Sequence, residues 1–436
     1  MSTDRLIRWI STTPSRVWQE KTASTPAEPA ADLRLSGTCD QQWRGFGGCF
    51  NELGWIALDV LNDAARREVL GSLFDQEHGC RFNLCRLPIG ASDYAAEWYS
   101  LDEVDGDFAL EHFSVVRDRQ YLIPYIHAAM QFMPELELFA SPWSPPTWMK
   151  FPKVYNHGKF IWQPEYLRAY ARYFLKFVQT YRAEGINIRQ VHVQNEPLAD
   201  QKFPSCVWSG AQLRDFIRDY IGPLFRAEQP DCAVWLGTLN TDDYDGYPHL
   251  VLRDANARAF VGGVGFQWAG KGAVQRAHES WPGVPLMQTE NECGEGANSW
   301  EYARYVFGLL RHYLSNGVEG YTYWNMVLPT GGQSTWGWKQ NAMISIDMET
   351  REVQYNPEFY LMKHMSHFVR PGAVRLGLSG PWTGNAVAFA NPDGTTVLVV
   401  ANPFPEPQSL TFAGTNGNTT LMLDGHSFNT CVFNAV

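Results

Sequence analysis

An alternation along the chain restricts the fold most. Eight short apolar runs, at residues 45–50, 81–88, 136–141, 189–194, 233–239, 261–267, 284–289 and 318–324, are separated by longer segments of helical patterning. Strands joined through helices run parallel, and eight such units close into a barrel. The clearest helical segment is 165–182, where Leu167, Tyr170, Phe174, Phe177 and Tyr181 recur at spacings of three and four. A barrel of this kind needs about 250 residues, so a 436-residue chain has room for a smaller partner.

That partner is announced by a change of texture at Arg370-Pro371-Gly372. Short runs follow at 373–378, 386–391, 395–402, 409–413, 419–424 and 428–433, broken by Gly, Pro, Asn and Asp, with no helical period. They read as an antiparallel β-sandwich. Residues 15–21 and 32–36 are also strand-like, with a Pro/Ala spacer at 25–31 between them, and are expected to join the same sandwich. The expected division is 1–40 for these N-terminal strands, 41–368 for the (β/α)8 barrel and 369–436 for the C-terminal sandwich.

Composition narrows the partners. The net charge of −11, without a Lys/Arg cluster, repels phosphate backbones, so nucleic acid is not an expected ligand. No run of about 18 apolar residues occurs, and residues 1–21 hold no apolar stretch ahead of a small-residue cleavage site. Eight cysteines without paired spacing then read as reduced thiols, and the expected location is the cytoplasm. No HExxH or GxSxG is present, and the 11 histidines are scattered, so neither a metal nor another cofactor is expected. Cys80 and Cys85 have the wrong spacing for a metal knuckle. Gly45-Phe-Gly-Gly48 lacks the spacing and lysine of a phosphate loop. Oligomeric state is not encoded in any of these patterns. The 17 tryptophans and 19 tyrosines exceed what a core of this size needs; aromatic faces stack on sugar rings, but most aromatics in any protein simply pack, and the expectation of a carbohydrate partner rests on the residues that follow.

Two carboxylates carry the chemistry. The run from Arg189 stops at Asn195-Glu196-Pro197, because proline cannot donate to a ladder, which leaves Glu196 at the C-terminal end of the fourth strand. Val284-Pro-Leu-Met-Gln-Thr-Glu290 ends in a second acid on the seventh. A barrel spends roughly 31 residues per unit, so the separation of 94 residues from one acid to the other corresponds to three units. Glycosidic bond cleavage asks for this pair: one carboxyl protonates the leaving oxygen and the other meets the oxocarbenium-like carbon. Glu292 shares a strand face with Glu290 but lies beyond the apolar run, so Glu290 is the preferred nucleophile. Asn195, beside the acid, is placed to hydrogen-bond a sugar 2-hydroxyl.

At this point the sequence resembles glycoside hydrolase family 30, the glucosylceramidase-like retaining β-glycosidases. The motifs in order are Gly45-Phe-Gly-Gly48, Arg86-Leu-Pro-Ile-Gly90 with Asp93-Tyr94, Ser141-Pro-Trp-Ser-Pro-Pro-Thr-Trp-Met-Lys150, Asn195-Glu196-Pro197, Thr289-Glu290 and Tyr323-Trp324-Asn325. The resemblance implies a (β/α)8 barrel with a β-sandwich, Glu196 as acid/base and Glu290 as nucleophile. It also implies a sugar subsite lined by Asp93, Trp148, Asn195 and Trp324; for Asp93 and Trp148 the alternatives are a turn-capping acid and a core aromatic. There are departures. Gln267 stands where the family usually has histidine, and Cys49 with Asn51-Glu52 replaces the common residues after the glycines. Glu52 either bonds a sugar hydroxyl or forms a salt bridge nearby. The expected substrate is a β-glucosyl linkage, with xylose, fucose, galactose, glucuronic acid or β-1,6-glucan as alternatives, and a non-catalytic sugar binder as a third class. The stretch 329–341, with Trp336 and Trp338, is a candidate for shaping the leaving-group side.

Overall fold

The computed structural model describes residues 6–22, 31–414 and 417–434; most of the 25–31 spacer lies outside them. The eight expected runs form β1 (Gly45–Cys49), β2 (Leu84–Pro88), β3 (Glu137–Ser141), β4 (Ile188–His192), β5 (Ala233–Leu239), β6 (Val261–Gln267), β7 (Leu286–Glu290) and β8 (Val318–Asn325). They pair in parallel in chain order, and β8 closes on β1 with Tyr321 opposite Phe46. Helices cover the outside, so the strands are buried on both faces and read as continuous apolar runs rather than alternating ones.

Within the barrel, Leu84, Phe139, Trp235 and Met287 form a dry layer. His192 lies between Phe139 and Trp235, at ring distances of 4.9 and 5.2 Å, and burial holds its imidazole neutral. Two residues beyond Leu84, on the same face of β2, comes Arg86. Close approach explains the glycines of β1. A Cβ on Gly47 would lie 1.8 Å from the Leu84 carbonyl oxygen, and one on Gly48 would lie 2.2 Å from Met326 Cγ.

The helix expected at 165–182 spans Pro164–Ala183, with proline in its first turn, where a missing N–H costs nothing. Its buried stripe contains Leu167, Tyr170, Phe174, Phe177 and Tyr181, and Gly185, at φ +82°, turns the chain out of it.

The sandwich is one nine-stranded sheet that curls over itself. Its order is Gln19–Glu20, Leu6–Thr12, Ser427–Phe433, Thr396–Asn402, Ala386–Ala390, Val374–Ser379, Leu33–Gln42, Gln408–Ala413 and Asn418–Leu423. N-terminal strands do join it, as expected. The pairing is antiparallel except where Gln408–Ala413 meets Leu33–Gln42 in parallel. The expected 32–36 run lies in the strand Leu33–Gln42, the 15–21 run contributes only Gln19–Glu20, and a further strand, Leu6–Thr12, had not been expected. Adjacent residues of Leu6–Thr12 are both buried, Trp9 in the sandwich core and Ile10 in the barrel's, so the period-two signal is absent. Buried His364, on the helix Pro357–Ser366, joins the two parts through Thr12 Oγ1 and Thr430 Oγ1, each at 2.9 Å.

Candidate active site

Arg86 organises the C-terminal mouth of the barrel. Its guanidinium is fully buried, and a charge so placed must be paired on every side. Nη1 donates to Glu290 Oε2 at 2.9 Å, to Gln267 Oε1 at 3.1 Å and to the Thr289 carbonyl at 3.1 Å. Nη2 donates to Asn195 Oδ1 and Ser141 Oγ, both at 2.7 Å. Trp143 and Trp324 cover the guanidinium at 4.6 and 5.3 Å.

Gln267, at the end of β6, links both acids. Its Nε2 donates to Glu196 Oε1 and to Glu290 Oε2, each at 3.1 Å. Those two oxygens are therefore no farther apart than twice that distance, about 6.2 Å. Glu290 has a further donor, Trp268 Nε1 at 3.0 Å from its Oε1. Glu196 and Trp268 both occupy the left-handed backbone region, at φ 48° and 47°. That conformation costs a non-glycine residue roughly 1–2 kcal/mol.

The environments separate the two carboxyls. Burial, and next the charge of Glu290, push Glu196 up to about 8. Burial raises Glu290 as well, but there Arg86 and the Trp268 and Gln267 donors oppose it. Asp93, beside them, is held far above the usual carboxylate range by burial and then by the two glutamates, and its Oδ1 has no partner among the described residues.

The cavity over these groups measures about 210 Å³ and is lined by Asp93, Asn195, Glu196 and Glu290, with Trp143, Phe203, Trp268 and Trp338 as its aromatic walls. Gln201, Asn240 and Gln340 add polar edges. Among the described residues, no His/Cys/Asp/Glu group of three has metal-holding geometry. No helix among them is long and apolar enough to cross a membrane.

Of the residues singled out from sequence, Glu196, Glu290, Asp93 and Asn195 line this cavity, and Gln267 lies against both glutamates. Three others do not line it. Trp148 is a core aromatic: it packs on Phe108 and Tyr166 and donates Nε1 to the Asp102 carbonyl. Trp143, five residues earlier in the same motif, takes the cavity wall instead. Glu52 takes the salt-bridge alternative, holding Arg117 through both carboxylate oxygens at 3.0 Å and the Ala96 N–H at 2.7 Å. Trp324 is fully buried and stacked behind Trp143 at 5.2 Å, one layer back from the lining. Glu292 is engaged by Lys271 and by the Tyr305 hydroxyl, outside the lining.

Sequence reading had not marked Arg86, Trp143 or Trp268 as site residues. For Arg86 a signal existed: an arginine in the apolar run Leu84-Cys85-Arg86-Leu87 needs a buried anion nearby.

Residues 43–369 match the Glycosyl hydrolase family 30 TIM-barrel domain, and residues 372–431 match the Glycosyl hydrolase family 30 beta sandwich domain. The chain belongs to glycosyl hydrolase family 30. It is a glycoside hydrolase whose substrate is a carbohydrate or glycoside. It is 28% identical to Putative glucosylceramidase 1 of Caenorhabditis elegans, over 90% of this chain and 80% of that protein. It is also 28% identical to Endo-1,6-beta-D-glucanase of Neurospora crassa, over 84% of this chain and 79% of the relative. Among solved structures, SrfJ from Salmonella typhimurium superposes with a TM-score of 0.91 at 25% identity, covering 98% of this chain and 99% of that one.

Proposed function

We propose that this family 30 enzyme is a retaining β-glycosidase that hydrolyses β-glucosyl linkages, with Glu290 as nucleophile and Glu196 as acid/base. One observation carries the reading: a single amide nitrogen touches both carboxylates. The bound of about 6.2 Å on their facing oxygens lies under the roughly 6.5–9.5 Å that an inverting enzyme needs to seat a water. In direct displacement, Glu290 attacks the anomeric carbon while Glu196 gives its proton to the departing oxygen. Glu196 then takes a proton from water as that water releases the sugar.

The two surroundings differ in the direction the mechanism requires: burial raises both carboxyls, but only Glu290 is hydrogen-bonded by a guanidinium and an indole N–H. Arg86 and Trp268 stabilise an anion at Glu290, and burial keeps the proton on Glu196 near neutrality. Asn195 offers its amide nitrogen to a sugar hydroxyl, since Arg86, Thr238 and Gln267 already use its oxygen. Asp93, with a free buried oxygen, is the second hydroxyl partner. A cavity of about 210 Å³ is small beside the 300–1,000 Å³ of drug-sized pockets and suits one sugar ring. The glucosyl assignment draws on relatives named for glucosylceramide and β-1,6-glucan, which share a β-glucosyl unit.

Glu290→Ala tests the role of Glu290. Turnover of a nitrophenyl β-glucoside is expected to fall by more than about 10⁴-fold, beyond the usual reach of acid–base catalysis alone. Azide, entering the vacated space, is expected to restore part of it and to yield the α-glucosyl azide. A variant that keeps substantial turnover without azide contradicts the assignment.

A further inference from the structure

Asn51, one of the departures after the β1 glycines, is buried and starts a chain of amides that ends in the catalytic cavity. Its Oδ1 caps the helix Glu52–Asp59 by accepting from the Gly54 N–H at 2.7 Å. A backbone N–H can only donate, so the end of the Asn51 amide left for the interior is its nitrogen. That Nδ2 donates to Oδ1 of Asn325, the last residue of β8, at 2.9 Å. Asn325 Nδ2 donates in turn to Gln340 Oε1 at 2.8 Å, with the Asn341 carbonyl at 3.4 Å. Gln340 lines the catalytic cavity, and its Nε2 has no partner among the described residues.

The first link fixes the direction of the whole chain. Asn51, Asn325 and Gln340 are at most 2% exposed. Turning the Asn325 amide over would set nitrogen against nitrogen toward Asn51 and oxygen against oxygen toward Gln340. Buried polar groups left unmatched in this way cost more than a made hydrogen bond returns. The cavity therefore receives an N–H from Gln340 and not a carbonyl oxygen. Gln340 also stands on the Asp93 side, since its backbone N–H and the Tyr94 hydroxyl share the Gly332 carbonyl, at 3.1 and 2.8 Å.

We propose that Gln340 is a specificity-determining residue, giving a fixed N–H donor to one sugar oxygen beside Asp93, and that Asn51 and Asn325 are positioning residues that hold its polarity from outside the cavity. This rests on the β-glycosidase reading and names which way one of its sugar contacts runs.

Nitrophenyl β-glucosides with the 3-, 4- or 6-hydroxyl replaced by hydrogen or by fluorine test it. Hydrogen removes the contact, whereas fluorine keeps a weak acceptor and loses only the donor. Effects of fluorine on the reaction itself are common to parent and variants and cancel between them. In Gln340→Leu, the kcat/KM advantage of hydroxyl over hydrogen is expected to shrink at one position by about two- to twelvefold, the worth of one neutral hydrogen bond, and to hold at the other two. Gln340→Glu keeps the bond from Asn325 and turns an oxygen to the sugar. Asn325→Asp accepts from Asn51 and obliges Gln340 to turn over, which brings an oxygen into the cavity without altering any group that lines it. In both, the hydroxyl-to-fluorine ratio is expected to rise at that same position, because an oxygen accepts a hydroxyl proton and repels fluorine. A thermal melt identifies the folded variants, and Gln340→Glu carries the test if Asn325→Asp does not fold. Parental ratios at all three positions in Gln340→Leu overturn the proposal, as do parental fluorine ratios in folded Asn325→Asp or Gln340→Glu. If another β-glycoside is cleaved instead, the glucosyl assignment falls, and the same series on that sugar reads the amide chain. If no glycoside is cleaved, calorimetry of methyl β-glucoside and its deoxy and fluoro forms reads the ratios as affinities; unchanged ratios or no binding overturn the proposal.

Discussion

Among the described residues, the sandwich core, with Trp9, Leu33, Leu398, Leu410, Phe412 and Phe433 among its members, holds no buried charged side chain. The upper barrel interior encloses Arg86, Asp93 and Glu290, all buried, with the half-buried Glu196 beside them. An unpaired charge in such surroundings costs several kcal/mol, roughly, so Arg86 and Glu290 stand as a matched pair, while burial raises Asp93 and Glu196 toward their neutral forms. The difference separates two uses of burial. In the sandwich, burial yields stability. At the mouth burial raises both glutamates, and the Arg86 guanidinium and Trp268 N–H at Glu290 set that carboxyl apart from Glu196.

The largest effect that would sharpen this contrast belongs to Glu196→Ala. Alkyl glucosides, which need their leaving oxygen protonated, are expected to lose about 10²–10⁴-fold in the first step. Dinitrophenyl glucosides, which do not, are expected to keep that step nearly intact. The parent enzyme's kcat/KM is expected to fall as pH rises through about 8, where Glu196 gives up its proton, and this basic limb is expected to vanish in the variant with the dinitrophenyl substrate. Equal losses on both substrates would remove Glu196 from the acid role.

Arg86→Met comes next. It leaves Glu290 buried without its counter-charge, and breaking a buried pair of this kind costs about 3–5 kcal/mol of stability. Loss of the cation also raises the Glu290 pKa further, so activity is expected to fail at a higher pH on the acidic side than in the parent. Urea unfolding and a pH–rate profile check the two effects separately. An unmoved acidic limb would mean that Arg86 serves packing alone.

Much of this division was written in the sequence, and the exceptions have physical causes. Eight apolar runs marked eight barrel strands because parallel strands covered by helices have no polar face to interrupt them. Glu196 and Glu290 stood out because each ends such a run. Motif position offers Trp148 to the site and leaves Glu52 open between a sugar hydroxyl and a salt bridge; the first faces the core and the second holds Arg117. No periodicity says which of two tryptophans in a loop turns toward a cavity, and so Trp143 was passed over for Trp148. Trp268 was hidden for a related reason: its left-handed backbone, which brings the indole N–H onto Glu290, has no signature in a non-glycine residue. The strand Leu6–Thr12 was missed because barrel and sandwich cover its two faces.

The smallest effect on activity, and the complement of the others, is expected from the sandwich. Phe412→Ala is expected to cost about 3–5 kcal/mol in stability, as large-to-small changes in dry cores do. The kcat of the folded fraction is expected to stay as it was, in a thermal melt set beside rates taken well below the transition. A proportionate fall in kcat would show that the sandwich shapes the site rather than bracing it.

The central claim is that Glu196 and Glu290 stand close enough for one to attack the anomeric carbon that the other helps to free. Proton NMR of the first sugar released from a β-glucoside, read before mutarotation, tests it most directly. The account predicts β-glucose as the initial product; α-glucose would mean that water, not Glu290, reaches that carbon first.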